Sequence, residues 1–396
     1  MSLASDPGHS RLGASRPDDG GPDQVRPGRL ACLCPPLGAF TRTGAAGAVA
    51  LVTGAGFACL AQVLVYGTLP LAGALLSRDV VEASLPMAAC LAGAVLASLP
   101  GAFLMDAFGR RAALATGASL GAAGGTTVAV GLLALSLPVV LVGAFWLGVA
   151  QGFAMLYRHA AAAGDGDRRR QVAAVLGVGV AAGLAGPALA TFAEGLVAPF
   201  TLVGAALAAA LASVGALAAA LAEPTAPPAA APLASAGAPA RGAPAVPLFD
   251  TRFLVATAIG VVAWATMASA MTHAPMALVD CGVSASATYG IVAWHVVAMY
   301  APAAAIGLFG LRIAPVVAAG AGLALLAAAF AATALFAPIA GEISRLMLVG
   351  AGWSLATLGA TLILHAGPPP RRLVLALHDG ALLTAALLAA LFGGLF

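Results

Sequence analysis

The sequence predicts an all-α protein that crosses a membrane about eleven times. Three observations carry that reading. Of 396 residues, 61% are hydrophobic and only 8% are charged, against about 25% charged in a soluble domain. Mean hydropathy is +1.01. The apolar residues run in stretches long enough to cross a bilayer, which takes about 20 residues per helix. Within hydrocarbon each stretch must satisfy its own backbone N–H and C=O groups, so each reads as a helix.

In order, the predicted spans are 46–74, 83–104, 112–135, 138–157, 172–193, 197–221, 253–278, 285–309, 313–337, 344–365 and 373–396. Arginines punctuate them. Arg42 precedes the first span, and Arg110 and Arg111 divide the second from the third. Arg158 and Arg168–Arg170 divide the fourth from the fifth. Arg312 follows the eighth, and Arg371 and Arg372 precede the eleventh. With the N-terminus inside and the spans alternating, 16 of the 18 Arg fall inside; Arg78 and Arg345 alone fall outside. That asymmetry predicts a cytoplasmic N-terminus.

The first 43 residues hold five Arg and four Asp. They read as a disordered cytoplasmic leader (1–43), too long and polar for a cleavable signal. Residues 222–248 are rich in Pro and Ala and read as a cytoplasmic linker. It separates a six-helix bundle (44–221) from a second bundle of about five helices (249–396).

The bundles look like copies offset by 202 residues. Pro100 matches Pro302, Arg110 matches Arg312, Gly148 matches Gly350, and Arg169–Arg170 match Arg371–Arg372. Parallel repeats joined by an inside linker are a transporter architecture. By the same offset a twelfth span is expected near residue 399, so the chain is expected to have eleven spans, its C-terminus outside, and a flank suited to a partner helix on an otherwise monomeric protein.

Composition excludes several classes. The basic residues sit at membrane edges and do not form a nucleic-acid surface. Lys and Asn are absent, so Arg reflects compositional bias and not chemistry. Cys32, Cys34, Cys59, Cys90 and Cys281 are scattered and read as incidental thiols, with no metal site. No nucleotide motif, no H-E-x-x-H and no nucleophile–base pair on one helix argue against an ATP-driven pump or an enzyme. No cofactor is expected.

The loop between spans two and three reads Ala102-Phe103-Leu104-Met105-Asp106-Ala107-Phe108-Gly109-Arg110-Arg111. It resembles the G-x-L-A-D-R-x-G-R-[RK] loop of the major facilitator superfamily, matching at Leu104, Asp106, Gly109, Arg110 and Arg111. The displaced Gly101 and Ala107 depart from it. Longer stretches, Gln151–Tyr157 with Arg158 and His159, Trp294-His295 to Pro302, Gly352-Trp353 and His378-Asp379, resemble a bacterial branch of unassigned specificity. The resemblance covers about residues 46–396. It implies a secondary transporter of the bacterial inner membrane, moving a small organic solute by alternating access, with protons as a candidate coupling ion. The alternative is a relative that no longer transports and acts as a sensor or partner subunit. Some members of the wider group carry flavins, a hint about substrate.

The resemblance also implies roles. Asp106 would bond to the start of span eleven and latch an inner gate, with Gly109 making the turn and Arg110 and Arg111 anchoring at headgroups. Span five carries Gly177, Gly179, Gly183 and Gly186-Pro187, like the family's antiporter signature, but Ala190-Thr191 replace its trailing glycines. Span four has Gly148 where an Arg often stands. In the second copy of the loop, Leu308 replaces the Asp.

Other candidates follow from depth and phase. His295 lies about 15 Å into span eight. It reads either as a proton or substrate contact or as a neutral packing His bonded to a carbonyl. Asp379, beside His378, reads as a gate contact opposite Asp106 or as half of a proton-sharing pair. Arg158 reads as an attractor of anionic solute or as a snorkelling anchor. Helical phase gathers Cys59, Gln62 and Tyr66 on span one, Gln151 and Arg158 on span four, Trp264 and Met271 on span seven, and Gly350, Trp353, Thr357 and Thr361 on span ten. Few polar groups among aromatics suit a planar or amphipathic solute better than a sugar.

Overall fold

A computed structural model describes residues 45–164, 166–224 and 249–392. The leader and nearly all of the linker lie outside the described residues. Twelve helices follow one another: α1 (Ala45–Leu76), α2 (Val80–Leu133), α3 (Leu137–Ala154), α4 (Leu156–Ala162), α5 (Arg168–Gly177), α6 (Gly179–Leu196), α7 (Val203–Leu221), α8 (Thr251–Asp280), α9 (Ala285–Phe309), α10 (Pro315–Leu335), α11 (Pro338–Leu364) and α12 (Arg372–Phe392).

Ten helical segments are long and apolar enough to cross a membrane, counting α3 with α4 and α5 with α6 as one each. One of the ten, within α2, is 52 residues long. It breaks at Gly109, where φ is 84° and ψ is 174°, and so contributes two spans. The predicted eleven are recovered among the described residues. Glycine is needed at this break because a positive φ is strained for other residues. Gly310, at the end of α9, takes φ 62° at nearly the repeat-equivalent position.

Helix ends obey ordinary capping chemistry. Asp79 accepts from the Glu82 N–H at 2.8 Å, and Asp250 from the Phe253 N–H at 2.8 Å. That donated N–H holds the Asp250 carboxyl below the usual carboxylate range. Proline opens α3, α10 and α11, where its missing N–H costs nothing. Glu194 reaches the start of α7 and accepts from the Leu202 and Ala205 N–H groups at 2.7 Å each.

Small residues set the packing. A Cβ on Gly148 of α3 would lie 1.7 Å from the Cys90 carbonyl oxygen of α2, and one on Gly93 would lie 2.2 Å from that of Phe145. The same device joins α10 to α11, where a Cβ on Gly322 would lie 2.4 Å from the Ala356 nitrogen. Lipid gives apolar helices no hydrophobic reason to associate, so close backbone approach and the dispersion it permits do that work. The helices are apolar around their whole circumference, and Phe103, Phe192, Leu211 and Phe330 are each more than 60% exposed. Such surface suits lipid and not water.

Two seams join the elements before the linker to those after it. Along one, α5 and α6 meet α9, with Gly177 against Ala304, Gly179 against the Tyr300 ring and Gly183 against Val296. Along the other, α2 meets α12. The fold is the expected all-α, two-bundle membrane architecture.

Candidate functional site

Between the seams lies an apolar cluster drawn from both bundles. Trp264 and Met267 of α8, Tyr300 of α9 and Trp353 of α11 are buried in it, with Cys59 and Val63 of α1 packed alongside. The Trp264 and Trp353 rings meet edge to face at 5.4 Å, and Tyr300 meets Trp353 at 5.9 Å. The indole Nε1 atoms of Trp264 and Trp353 are buried, as are the hydroxyls of Ser354 and Thr357; none has a hydrogen-bond partner among the described residues. Buried indole N–H groups ordinarily find a partner.

A polar trio lies in the first bundle. Gln62 Nε2 donates to the Tyr66 hydroxyl at 3.1 Å, and Gln151 Nε2 donates to the same oxygen. Cys90 Sγ lies 3.9 Å from Gln151 Oε1. The sequence placed Gln62 and Tyr66 on one face of span one; the structure adds Gln151 from span four to that face.

At the end of the bundle where α4, α11 and the start of α12 meet, charges gather. Asp106 Oδ1 accepts from Arg372 Nε at 2.8 Å. Arg372 is the first residue of α12, the place the family resemblance implied for the partner of Asp106. Arg110 pairs with Glu223 at 2.7 Å, so its guanidinium holds the end of α7. Arg111 is half-buried beside it.

Deeper, Asp379 accepts from Arg158, with side chains 3% and 4% exposed. His159 Nε2 lies 3.0 Å from Asp379 Oδ1, and His159 Nδ1 lies 3.0 Å from His365 Nε2. Arg168 donates to the His365 carbonyl. Burial, then the neighbouring His159 and Arg168, push the His365 imidazole down to about 2.

Three expectations are corrected here. Arg158 does not snorkel and does not face open space, because Asp379 compensates its charge inside the protein. Asp379 does not sit opposite Asp106. Its partners are Arg158 and His159 of α4, and Asp106 belongs to Arg372. Asp379 and His378 do not share a proton, because successive residues on a helix point about 100° apart. His378 Nδ1 turns to Thr257 of α8 at 2.9 Å. His295 is fully buried; its Nδ1 lies 2.6 Å from the Leu346 carbonyl, and its Nε2 has no partner among the described residues. Sequence reasoning missed His159, His365 and Tyr300 as site residues. The adjacency of Arg158 and His159 at a span end was the one available signal.

No protein-family model matches the chain. It is 30% identical over 295 residues to the riboflavin transporter RfnT of Brucella anthropi, covering 74% of this chain and 73% of that protein. Its fold matches that of the major facilitator superfamily proton:xylose symporter XylE, with a TM-score of 0.62 at 15% identity, over 88% of each chain. The chain belongs to the major facilitator superfamily. The human organic anion transporter TETRAN shares the fold, with a TM-score of 0.62 at 17% identity, over 87% of this chain and 92% of that one. A superfamily member with these relatives is a secondary transporter and not an enzyme, and it is a multi-pass membrane protein. The relatives favour the transporter over the non-transporting alternative.

Proposed function

We propose that the protein carries a flavin, or a solute of flavin-like chemistry, across the bacterial inner membrane by alternating access. The identity to the riboflavin transporter, spread over three quarters of both chains, carries the reading. The central cluster supports it. A planar ring system suits the edge-to-face Trp264, Tyr300 and Trp353. Ring carbonyls and ring nitrogens are acceptors for two indole N–H groups that lack one. Gln62, Tyr66 and Gln151 supply a second, polar wall. A sugar would need many more hydrogen-bonding side chains than this cluster contains. The Arg asymmetry supports an N-terminus in the cytoplasm, which makes the charged end the inner one.

Riboflavin binding to the purified protein, read by quenching of flavin fluorescence, tests this. Trp353→Phe keeps an aromatic ring, though a smaller one, and removes the N–H. It is expected to weaken binding by about 1 kcal/mol, the net worth of a typical hydrogen bond, and Trp264→Phe to do likewise. If riboflavin neither binds nor enters vesicles carrying the protein, the flavin reading falls.

The same reading gives Asp106 and Arg372 the role of an inner latch. Asp106 is 38% exposed at its side chain, so the pair contributes about 0–1 kcal/mol to stability. Asp106→Asn is therefore expected to lower uptake while leaving the melting temperature nearly unchanged. Wild-type uptake in that variant would reduce the pair to loop charge balance.

A further inference from the structure

Several buried ionisable groups remain outside this account. His295 is bonded to a backbone carbonyl and His378 to Thr257. Among the described residues only His159 has both ring nitrogens against other ionisable side chains. Its Nε2 faces the Asp379 carboxylate, which accepts and does not donate, so Nε2 carries the hydrogen. In the neutral ring Nδ1 is then an acceptor, and the group facing it, His365 Nε2, is the donor. These assignments fix a directed chain from His365 through His159 to Asp379. His365 stands at the C-terminal end of α11, and the next residue, Ala366, is exposed.

We propose that His365, His159 and Asp379 form a proton relay, and that loading it frees Arg158 and opens this end of the bundle. A proton bonds to His365 Nδ1. The Nε2 proton of His365 passes to His159 Nδ1, and the Nε2 proton of His159 passes to an Asp379 oxygen. Each N–H broken along the way is matched by one formed, and the net change is one O–H at Asp379. Neutral Asp379 no longer compensates Arg158. A buried guanidinium without a counterion is strongly unfavourable, and parting α4 from α12 relieves it by admitting water.

The surrounding charges set the sign. Arg158 of α4, Arg168 of α5 and Arg372 of α12 all face the relay with positive charge. His378 of α12 lies with its ring 6.1 Å from that of His159. Asp106 of α2 is engaged by Arg372. The closed arrangement therefore disfavours an added proton, and by linkage an added proton disfavours the closed arrangement. The low value at His365 agrees. Closure is therefore favoured as pH rises and weakened as pH falls. The inference rests on the transporter reading but not on which solute is carried.

The test uses the full chain in proteoliposomes, with riboflavin as the solute probe. One-proton coupling concentrates solute about tenfold per pH unit of gradient, since both correspond to about 1.4 kcal/mol. Wild type should accumulate riboflavin to that extent. His159→Gln and His365→Gln should abolish accumulation and, because an unloaded relay keeps this end closed, riboflavin exchange as well, while monodispersity after purification shows that they are folded. Wild-type accumulation in both variants overturns the relay.

A second readout needs no solute, so it survives if riboflavin is not carried. Infrared difference spectra on acidification should show a protonated-carboxyl C=O band that disappears in Asp379→Asn. In His159→Gln the band should titrate at a pH shifted by about one unit or more. A band that is absent in wild type, or unaltered in His159→Gln, overturns the relay even if Asp379→Asn does not fold.

Discussion

Asp379→Ala is expected to destabilise the folded protein by about 3–5 kcal/mol, the cost of leaving a buried charge without its partner. The reason is Arg158. Both side chains are under 5% exposed, so water cannot replace the lost carboxylate, and His159 loses its acceptor as well. Removing both charges is a different experiment. A combined Arg158→Met and Asp379→Leu variant replaces the pair with apolar groups and should recover most of the loss, because the pair itself pays a desolvation penalty. Thermal unfolding in detergent reads both. An Asp379→Ala protein that melts with wild type would mean that Arg158 reaches solvent. The contrast with Asp106→Asn, expected to be nearly neutral for stability, separates the buried pair from the exposed one.

Gly148→Leu is expected to prevent α2 and α3 from docking. Even the first carbon of the new side chain would lie 1.7 Å from the Cys90 carbonyl oxygen. That atom is backbone and cannot rotate away, so the helices must separate. Overpacking in a well-filled core costs about 1–3 kcal/mol where side chains can adjust, and here the cost should lie at or above that range. Gly320 in α10 is the control: nothing lies within 4 Å of a Cβ there. Gly320→Ala should be neutral or stabilising by up to about 1 kcal/mol, the helix propensity difference. Monodispersity after purification and melting temperature distinguish the two. A well-behaved Gly148→Leu protein would show that the α2–α3 contact is looser than described.

Much of the architecture was legible in the sequence, because membrane helices announce themselves locally. A span needs only its own composition to be recognised, and Gly109 and the flanking arginines mark where one ends. Asp106 was legible because a loop motif carries it. The buried charge cluster was not. Arg158 and Asp379 are separated by 221 residues, and His159 and His365 by 206. Nothing in the neighbourhood of one announces the other. His365 also closes a long apolar run, where a single histidine looks like an edge residue. Helical phase correctly gathered Gln62 with Tyr66, but it works on one helix at a time and could not bring Gln151 to them. His295 illustrates the opposite limit. Depth in the membrane singled it out, but its partner is the Leu346 carbonyl, and every residue carries a carbonyl.

The two seams between the bundles are held by different means. On the α2–α12 edge, Asp106 meets Arg372 through a charge-assisted bond that water and salt can replace. On the α5–α9 edge the equivalent of Asp106 is Leu308, and the contact is made by Gly177 against Ala304 and Gly307 against Ala174, backbone on backbone. A charged clasp lets go when its ions are hydrated. A dry glycine seam has no such exchange to offer and must slide or stay. The two edges would therefore not part alike. One would behave as the fastening and the other as the pivot, so the end that carries Asp106 and Arg372 would swing open from the α2–α12 side, asymmetrically.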